Sequence, residues 1–197
     1  MIVLDVEASG MEPHKHSLVS IGALDFNNPG NTFYAECRIW DGAHVSEEAL
    51  QVNGFSEGQI RDPRKKSDGE IVKEFLAWAS ALPEHTIAGQ NPSFDRDFIK
   101  ATCERYRLDY SLAHRTIDVH TAAYVHMVKW GIEPPVEHKR SALNSTAIQN
   151  YVGIPEEPKP HNALNGAKVA AEALSRILYD KKLLPEFKQF DIPWLAR

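Results

Sequence analysis

Cysteine is scarce in this sequence: two residues in 197, Cys37 and Cys103, far apart and outside any CxxC spacing. That excludes a disulfide framework and a zinc knuckle and fits a reducing compartment. Long apolar runs are missing as well. The apolar start, Met1 to Leu4, meets Asp5 and Glu7 at once, which is no signal-peptide core, and no run approaches the roughly 18 residues of a membrane span. A cytoplasmic protein without a membrane partner is expected. An excess of positive charge is also lacking. The formal net charge is −5, which argues against a broad basic surface that grips duplex DNA. Two local basic clusters remain, Arg61, Arg64, Lys65 and Lys66 in one and Lys139 with Arg140 in the other; such runs on loops are ordinarily just solvated. Internal repeats and a second-domain linker are absent too. What is left, 43% hydrophobic and 25% charged, is an ordinary globular composition in a chain the size of one domain.

The hydrophobic pattern organises that domain. Ile2 to Val6, Ser17 to Phe26 and Thr32 to Trp40 read as strands, with Asn27-Asn28-Pro29-Gly30 as turn chemistry between the second and third. Val72, Phe75, Leu76 and Ala79 recur at i, i+3, i+4 and i+7, a helix with one buried stripe that Pro83 stops. Thr86 to Gly89 reads as an inner strand and Phe94 to Tyr106 as the helix after it, an α/β unit. Val119, Ala122, Ala123 and His126 predict another helix, and Ser141 is the expected N-cap of one carrying Leu143, Ala147 and Tyr151. Residues 155 to 160 hold three prolines, so they form a loop that delivers His161 to a helix whose apolar face is Ala167, Ala170, Ala171, Leu174, Ile177 and Leu178. Residues 1–180 are expected to form the domain. Residues 181–197 form an arm, packed on the domain or a partner, with Phe187, Phe190 and Trp194 as anchors.

Three places carry chemistry. Asp5 and Glu7 are two apart on the first strand, so both carboxylates point to one face. Two such acids in a half-buried strand repel unless a cation neutralises them, and the natural partner of oxygen ligands is a hard ion, Mg²⁺ or Mn²⁺. Taken alone, D-x-E is also the ordinary surface pair of a strand end. Asp95, in Gly89-Gln90-Asn91-Pro92-Ser93-Phe94-Asp95, falls in the first turn of a helix, where acids also serve simply as caps. His161, just after the proline-rich loop, is the third element.

In this order the three pieces resemble the DEDDh 3′-5′ exonucleases of the ribonuclease-H-like superfamily, the family of ribonuclease T, oligoribonuclease and the bacterial proofreading subunit. Asp5-x-Glu7 with Ala8-Ser9-Gly10 looks like its first motif, Asn91-x-x-Phe94-Asp95-x-x-Phe98 like its second, and His161 with the alanine-rich helix like its third. Glu48 to Phe55 is similar to the segment that links sheet to second motif. The resemblance spans residue 1 to about 180. It implies an α/β fold with a mixed five-stranded sheet, strands 1 to 3 antiparallel, and helices on both faces. It further implies two divalent ions, Mg²⁺ or Mn²⁺, held by Asp5, Glu7 and Asp95, with His161 as general base toward the attacking water. The substrate would be the 3′ end of single-stranded RNA or DNA, in a homodimer as in many relatives. Gly10, Met11, Asn91 and Phe94 lie where the family contacts the terminal nucleotide, although Met11 and Phe94 suit core packing as well.

One position departs from the pattern. The family places an aspartate five residues after its histidine; here that residue is Gly166. Asn165, one residue earlier, is about 100° out of phase and is a weaker ligand. The expectations are then an enzyme with a weakened site, recruitment of another acid such as Glu172, a binding or scaffold domain without catalysis, or a chain altered here to trap substrate. Gln90 is a second departure, standing where many relatives have histidine. Asp118 is left out of the ligand set.

Overall fold

The computed structural model describes residues 1–195. The chain opens with β1 (Ile2–Ala8), β2 (Leu18–Asp25) and β3 (Asn28–Glu36), then runs through α1 (Glu47–Asn53), α2 (Glu57–Ile60) and α3 (Asp68–Ser80). Next come β4 (Ile87–Gly89), α4 (Pro92–Tyr106), β5 (Thr116–Asp118) and α5 (Val119–Lys129). A small hairpin, β6 (Val136–Glu137) and β7 (Arg140–Ser141), precedes α6 (Ser145–Val152) and α7 (Ala163–Tyr179). The five-stranded sheet has the order β3-β2-β1-β4-β5, so β1 lies at its centre. β1 pairs antiparallel with β2 and parallel with β4. The mixed sheet and the antiparallel opening meander are therefore as expected.

Alternation along β1 sorts the two layers. Ile2, Leu4, Val6 and Ala8 pack with Ile71, Phe75, Phe98 and Ile99 of α3 and α4. Met1 and Val3 face the other way, against Ala170, Ala171 and Leu174 of α7. By the same period Asp5 and Glu7 belong to the α7 face. Each large side chain buried in these layers contributes roughly 1.5–3 kcal/mol.

α7 reaches the sheet at Gly22, the β2 residue opposite Asp5. A Cβ there would overlap the backbone of Ala163 and Leu164, so glycine is what lets the first turn of α7 touch the strand. That contact sets His161, Asn162 and Gly166 beside β1.

Three local expectations are corrected. The first turn falls at Phe26-Asn27, because Asp25 already pairs with Asn28; Pro29 and Gly30 belong to β3, an edge strand whose free side tolerates a missing N–H. Ser141 ends the hairpin, and the N-cap of α6 is Asn144, whose side chain accepts from the Ala147 N–H at 2.9 Å. Leu178 is exposed although it continues the apolar stripe of α7. Of the arm, Ala196 and Arg197 lie outside the described residues. The remainder is irregular apart from a 3-10 turn at Pro185–Phe187, yet Trp194 is buried and its indole N–H donates to Asp180 at 2.6 Å.

Candidate active site

The carboxyl ends of β1 and β4, where open α/β sheets commonly bind ligands, border a cavity of about 170 Å³. Asp5, Glu7, Glu157, His161 and Gly166 line it, with Gln90, Ser145 and Gln149. Asp95 is tied to the strand itself. Its Oδ1 accepts the Val6 N–H at 2.8 Å, which ties the first turn of α4 to the strand residue between the two acids. Asn91 makes that approach possible by taking a left-handed conformation (φ 51°) just before Pro92 starts the helix, a conformation asparagine tolerates better than most residues. His161 precedes the α7 N-cap. Asn162 Oδ1 receives the Leu164 N–H at 3.1 Å and the Asn165 N–H at 3.3 Å, and the His161 N–H donates to Val52 O of α1 at 3.2 Å.

The electrostatics are one-sided. Burial raises the Asp5 pKa well above the carboxylate range, and the charges of Asp95, Glu7 and Glu157 push it further the same way. Glu7 rises from its ordinary value near 4.5 to about 7, through burial and then Glu157. Asp95 is raised by burial, opposed in part by the Val6 N–H. Asp5 and Glu7 form no ion pair with any described residue.

These donors fit a hard divalent cation: they are all carboxylate oxygens, crowded and uncompensated. Two orphaned polar atoms flank them. Ser20 Oγ, opposite Glu7 in the β1–β2 ladder and 1% exposed, and Gln90 Oε1 are buried without a hydrogen-bond partner. Among the described residues no three acid, histidine or cysteine side chains already stand as a closed ligand set, so an entering ion has to draw them together.

Gly166 faces Asp5 directly. A Cβ at 166 would lie 2.8 Å from Asp5 Cγ and overlap Asp5 Oδ2; the aspartate carboxylate leans into the room that a side chain at 166 would need. Glu172 offers no replacement. It is 0% exposed and paired at 2.7 Å with the equally buried Arg176, and its other oxygen accepts the Leu183 and Leu184 N–H groups at 2.9 and 2.8 Å. Asp118 is occupied as the N-cap of α5 and also accepts the Asn91 N–H at 3.1 Å.

The structure thus brings Asp5, Glu7 and His161 to one cavity and Asp95 against it. Gly10, Met11, Asn91 and Phe94 do not line that cavity. Met11 is 75% exposed, which excludes core packing, while the Phe94 ring packs tilted against Phe98 with centroids 4.8 Å apart. Sequence reasoning missed Glu157, Ser145 and Gln149. The available signal for Glu157 was its place four residues before His161, on the loop expected to carry that histidine in.

This architecture is the ribonuclease-H-like fold of the DEDDh nucleases. The nuclease domain of 3′hExo, a DEDDh family member solved bound to rAMP, superposes with a TM-score of 0.70 at 20% identity over 93% of each chain. Exonuclease I of E. coli with a dA16 oligonucleotide gives 0.71 at 17% identity, covering 91% of this chain and 40% of that one. Residues 1–178 match the family described as the 3′-5′ exoribonuclease Rv2179c-like domain, and the chain belongs to that family. It is 27% identical over 194 residues to the 3′-5′ DNA exonuclease Cap18 of Escherichia coli, covering 93% of this chain and 95% of that protein. Ribonuclease T of Vibrio parahaemolyticus is 28% identical over 125 residues; the match covers 54% of this chain and 56% of that enzyme.

Proposed function

We propose that this chain is a divalent-metal-dependent 3′-5′ exonuclease that hydrolyses the terminal phosphodiester of single-stranded RNA or DNA. The observation that carries the reading is the set of uncompensated acids at the carboxyl end of β1: half-buried Asp5 and Glu7 on the His161 cavity, and buried Asp95 tied to the strand between them through the Val6 N–H. Asp5, Glu7 and Asp95 would hold the ions, Mg²⁺ or Mn²⁺, and His161 would accept a proton from the attacking water. When bound, the ions neutralise the acid cluster and polarise the phosphodiester. Gly10, Met11, Asn91 and Phe94 orient the terminal nucleotide from the rims after β1 and β4. Lys139 and Arg140 meet phosphates further along the strand; the segment that follows their hairpin reaches the cavity where Leu143 O accepts from Gln90 at 3.5 Å.

Among the described residues no helix is long and apolar enough to cross a membrane, and both cysteines are free and buried, which supports a cytoplasmic setting. Self-association belongs to the same reading, through the exposed Val125, Val128 and Trp130 of the α5 region. Light scattering at micromolar concentration tests it.

A second reading, a nucleic-acid-binding or scaffold domain that has lost catalysis, is favoured by Gly166. The deciding experiment uses 5′-labelled single strands, RNA and DNA, in Mn²⁺ and Mg²⁺, with Asp5→Asn as control. A ladder shortening from the 3′ end that the control abolishes supports the exonuclease. Strands bound but never shortened in either metal refute it, and a strong gain of cleavage in Gly166→Asp then identifies a degenerate enzyme.

A further inference from the structure

We propose that Glu157 supplies the carboxylate that position 166 lacks, entering the metal site from the loop before His161 instead of from α7. The proposal rests on the exonuclease reading above. The cavity is the first argument: Glu157 lines it together with Asp5, Glu7, His161 and Gly166, and it is the one further acid on that lining. With Asp95 attached through Val6, Glu157 makes four carboxylates around one site.

Second, the loop holds this residue in place at both ends. The Glu157 N–H donates to Gln149 Oε1 at 2.9 Å, and Gln149 is itself fixed by donating to Ser145 Oγ at 2.8 Å. The Asn162 N–H donates to Glu157 Oε1 at 3.3 Å. Its second oxygen receives no protein donor among the described residues. By contrast the neighbouring Glu156 is exposed and off the cavity.

Third, the position expected to carry the carboxylate has no side chain to offer and no free room for one. Gly166 explains why the substitute comes from elsewhere. With the Asp5 carboxylate lying where a Cβ of residue 166 would be, a ligand from the loop before His161 fills the shell without displacing it.

Manganese calorimetry at pH 7.5 tests this, independently of turnover, on the intact chain and on Glu157→Gln, Glu156→Gln, Asp5→Asn and Glu157→Gln combined with Gly166→Asp. Glu157→Gln is expected to weaken Mn²⁺ binding by about tenfold or more and to shrink the Mn²⁺-induced rise in melting temperature. Glutamine still accepts from Asn162, so the metal-free fold persists. Glu156→Gln removes the same charge from the same loop and should bind Mn²⁺ as the parent does. Adding Gly166→Asp to Glu157→Gln should restore part of the affinity, because the carboxylate count returns to four once the Asp5 carboxylate rotates off the new Cβ. Unchanged Mn²⁺ binding in Glu157→Gln, with loss in Asp5→Asn, overturns the role of Glu157 and leaves the exonuclease reading standing. Equal losses in the Glu156 and Glu157 variants also overturn it, as a long-range charge effect. No Mn²⁺ binding by the parent, together with no cleavage, overturns both.

Discussion

Two kinds of buried acid coexist in this molecule. Glu172 on α7 is matched: Arg176 and two backbone N–H groups of the following segment satisfy both of its oxygens, and the Arg176 guanidinium goes on to bond the carbonyls of Val152, Phe187, Phe190 and Asp191. Asp68 is matched as well, by Ser17, Arg105, Tyr106 and the Gly69 N–H. Asp5 and Glu7 are half-buried on the neighbouring strand, and what surrounds them is more negative charge. A matched acid stitches elements together. An unmatched one costs stability and is kept for a ligand that comes and goes.

The largest expected effect breaks the unmatched set. Asp5→Asn should lower cleavage by about 10⁴-fold or more, the scale on which a member of a catalytic unit is lost, measured on labelled strands in Mn²⁺. The same variant should melt higher than the parent in EDTA at pH 8, by a few degrees, because a buried charge without a partner is gone. A lower melting temperature there contradicts the idea that Asp5 is unmatched.

The opposite signature is expected at Glu172. Glu172→Gln leaves the Arg176 cation buried with a neutral partner, a loss of about 3–5 kcal/mol in denaturant unfolding. Cleavage per folded molecule should stay at the parental level, since Glu172 is absent from the cavity lining. Loss of activity at full folding would place this acid in the site after all.

How much of this contrast could be read from the sequence depends on how local its cause is. The shared face of Asp5 and Glu7 follows from the period of a strand, and Asp95 at the head of α4 follows from the turn chemistry of Asn91-Pro92; both were legible. The state of Glu172 was not, because its partners Leu183 and Leu184 return from the arm by tertiary packing. Glu157 was hidden for a related reason: its nearness to His161 was visible, but a proline-rich loop has no period, so that nearness alone does not choose between Glu156 and Glu157. Gly22 read as an ordinary strand residue until the backbone of α7 lay against it. Ser141 and Asn144 are both good caps, and the hairpin before α6 decided between them.

The two sets also differ in how they respond to pH. A carboxyl whose folded pKa exceeds its unfolded value keeps its proton longer in the folded state, so stability declines as pH rises between the two values. Glu7, moved from near 4.5 to about 7, contributes a loss of roughly 3 kcal/mol across that window, and Asp5 and Asp95 act in the same direction. Melting temperature in EDTA should therefore fall from pH 5 to pH 8, and saturating Mn²⁺, which binds the deprotonated acids, should flatten the fall. A flat profile in EDTA is incompatible with uncompensated acids.

The smallest effect concerns the basic clusters, where the same distinction recurs with the sign reversed. Arg61, Arg64, Lys65 and Lys66 are each paired, with Glu57, Asp62, Glu36 and Glu74 respectively. Lys139 and Arg140 sit exposed on the β6–β7 hairpin and pair with no acid among the described residues. Only uncompensated cations release counterions fully when a phosphate replaces them, so the double variant Lys139→Ala/Arg140→Ala should weaken single-strand binding by about tenfold at low salt. It should also reduce the slope of log K against log salt by roughly 1.4, about 0.7 per charge. Arg64→Ala/Lys65→Ala removes the same formal charge from paired positions and should change the slope far less, in fluorescence anisotropy with a labelled strand. Equal changes in the two double variants would mean that net charge, and not pairing, governs how this acidic chain meets a polyanion.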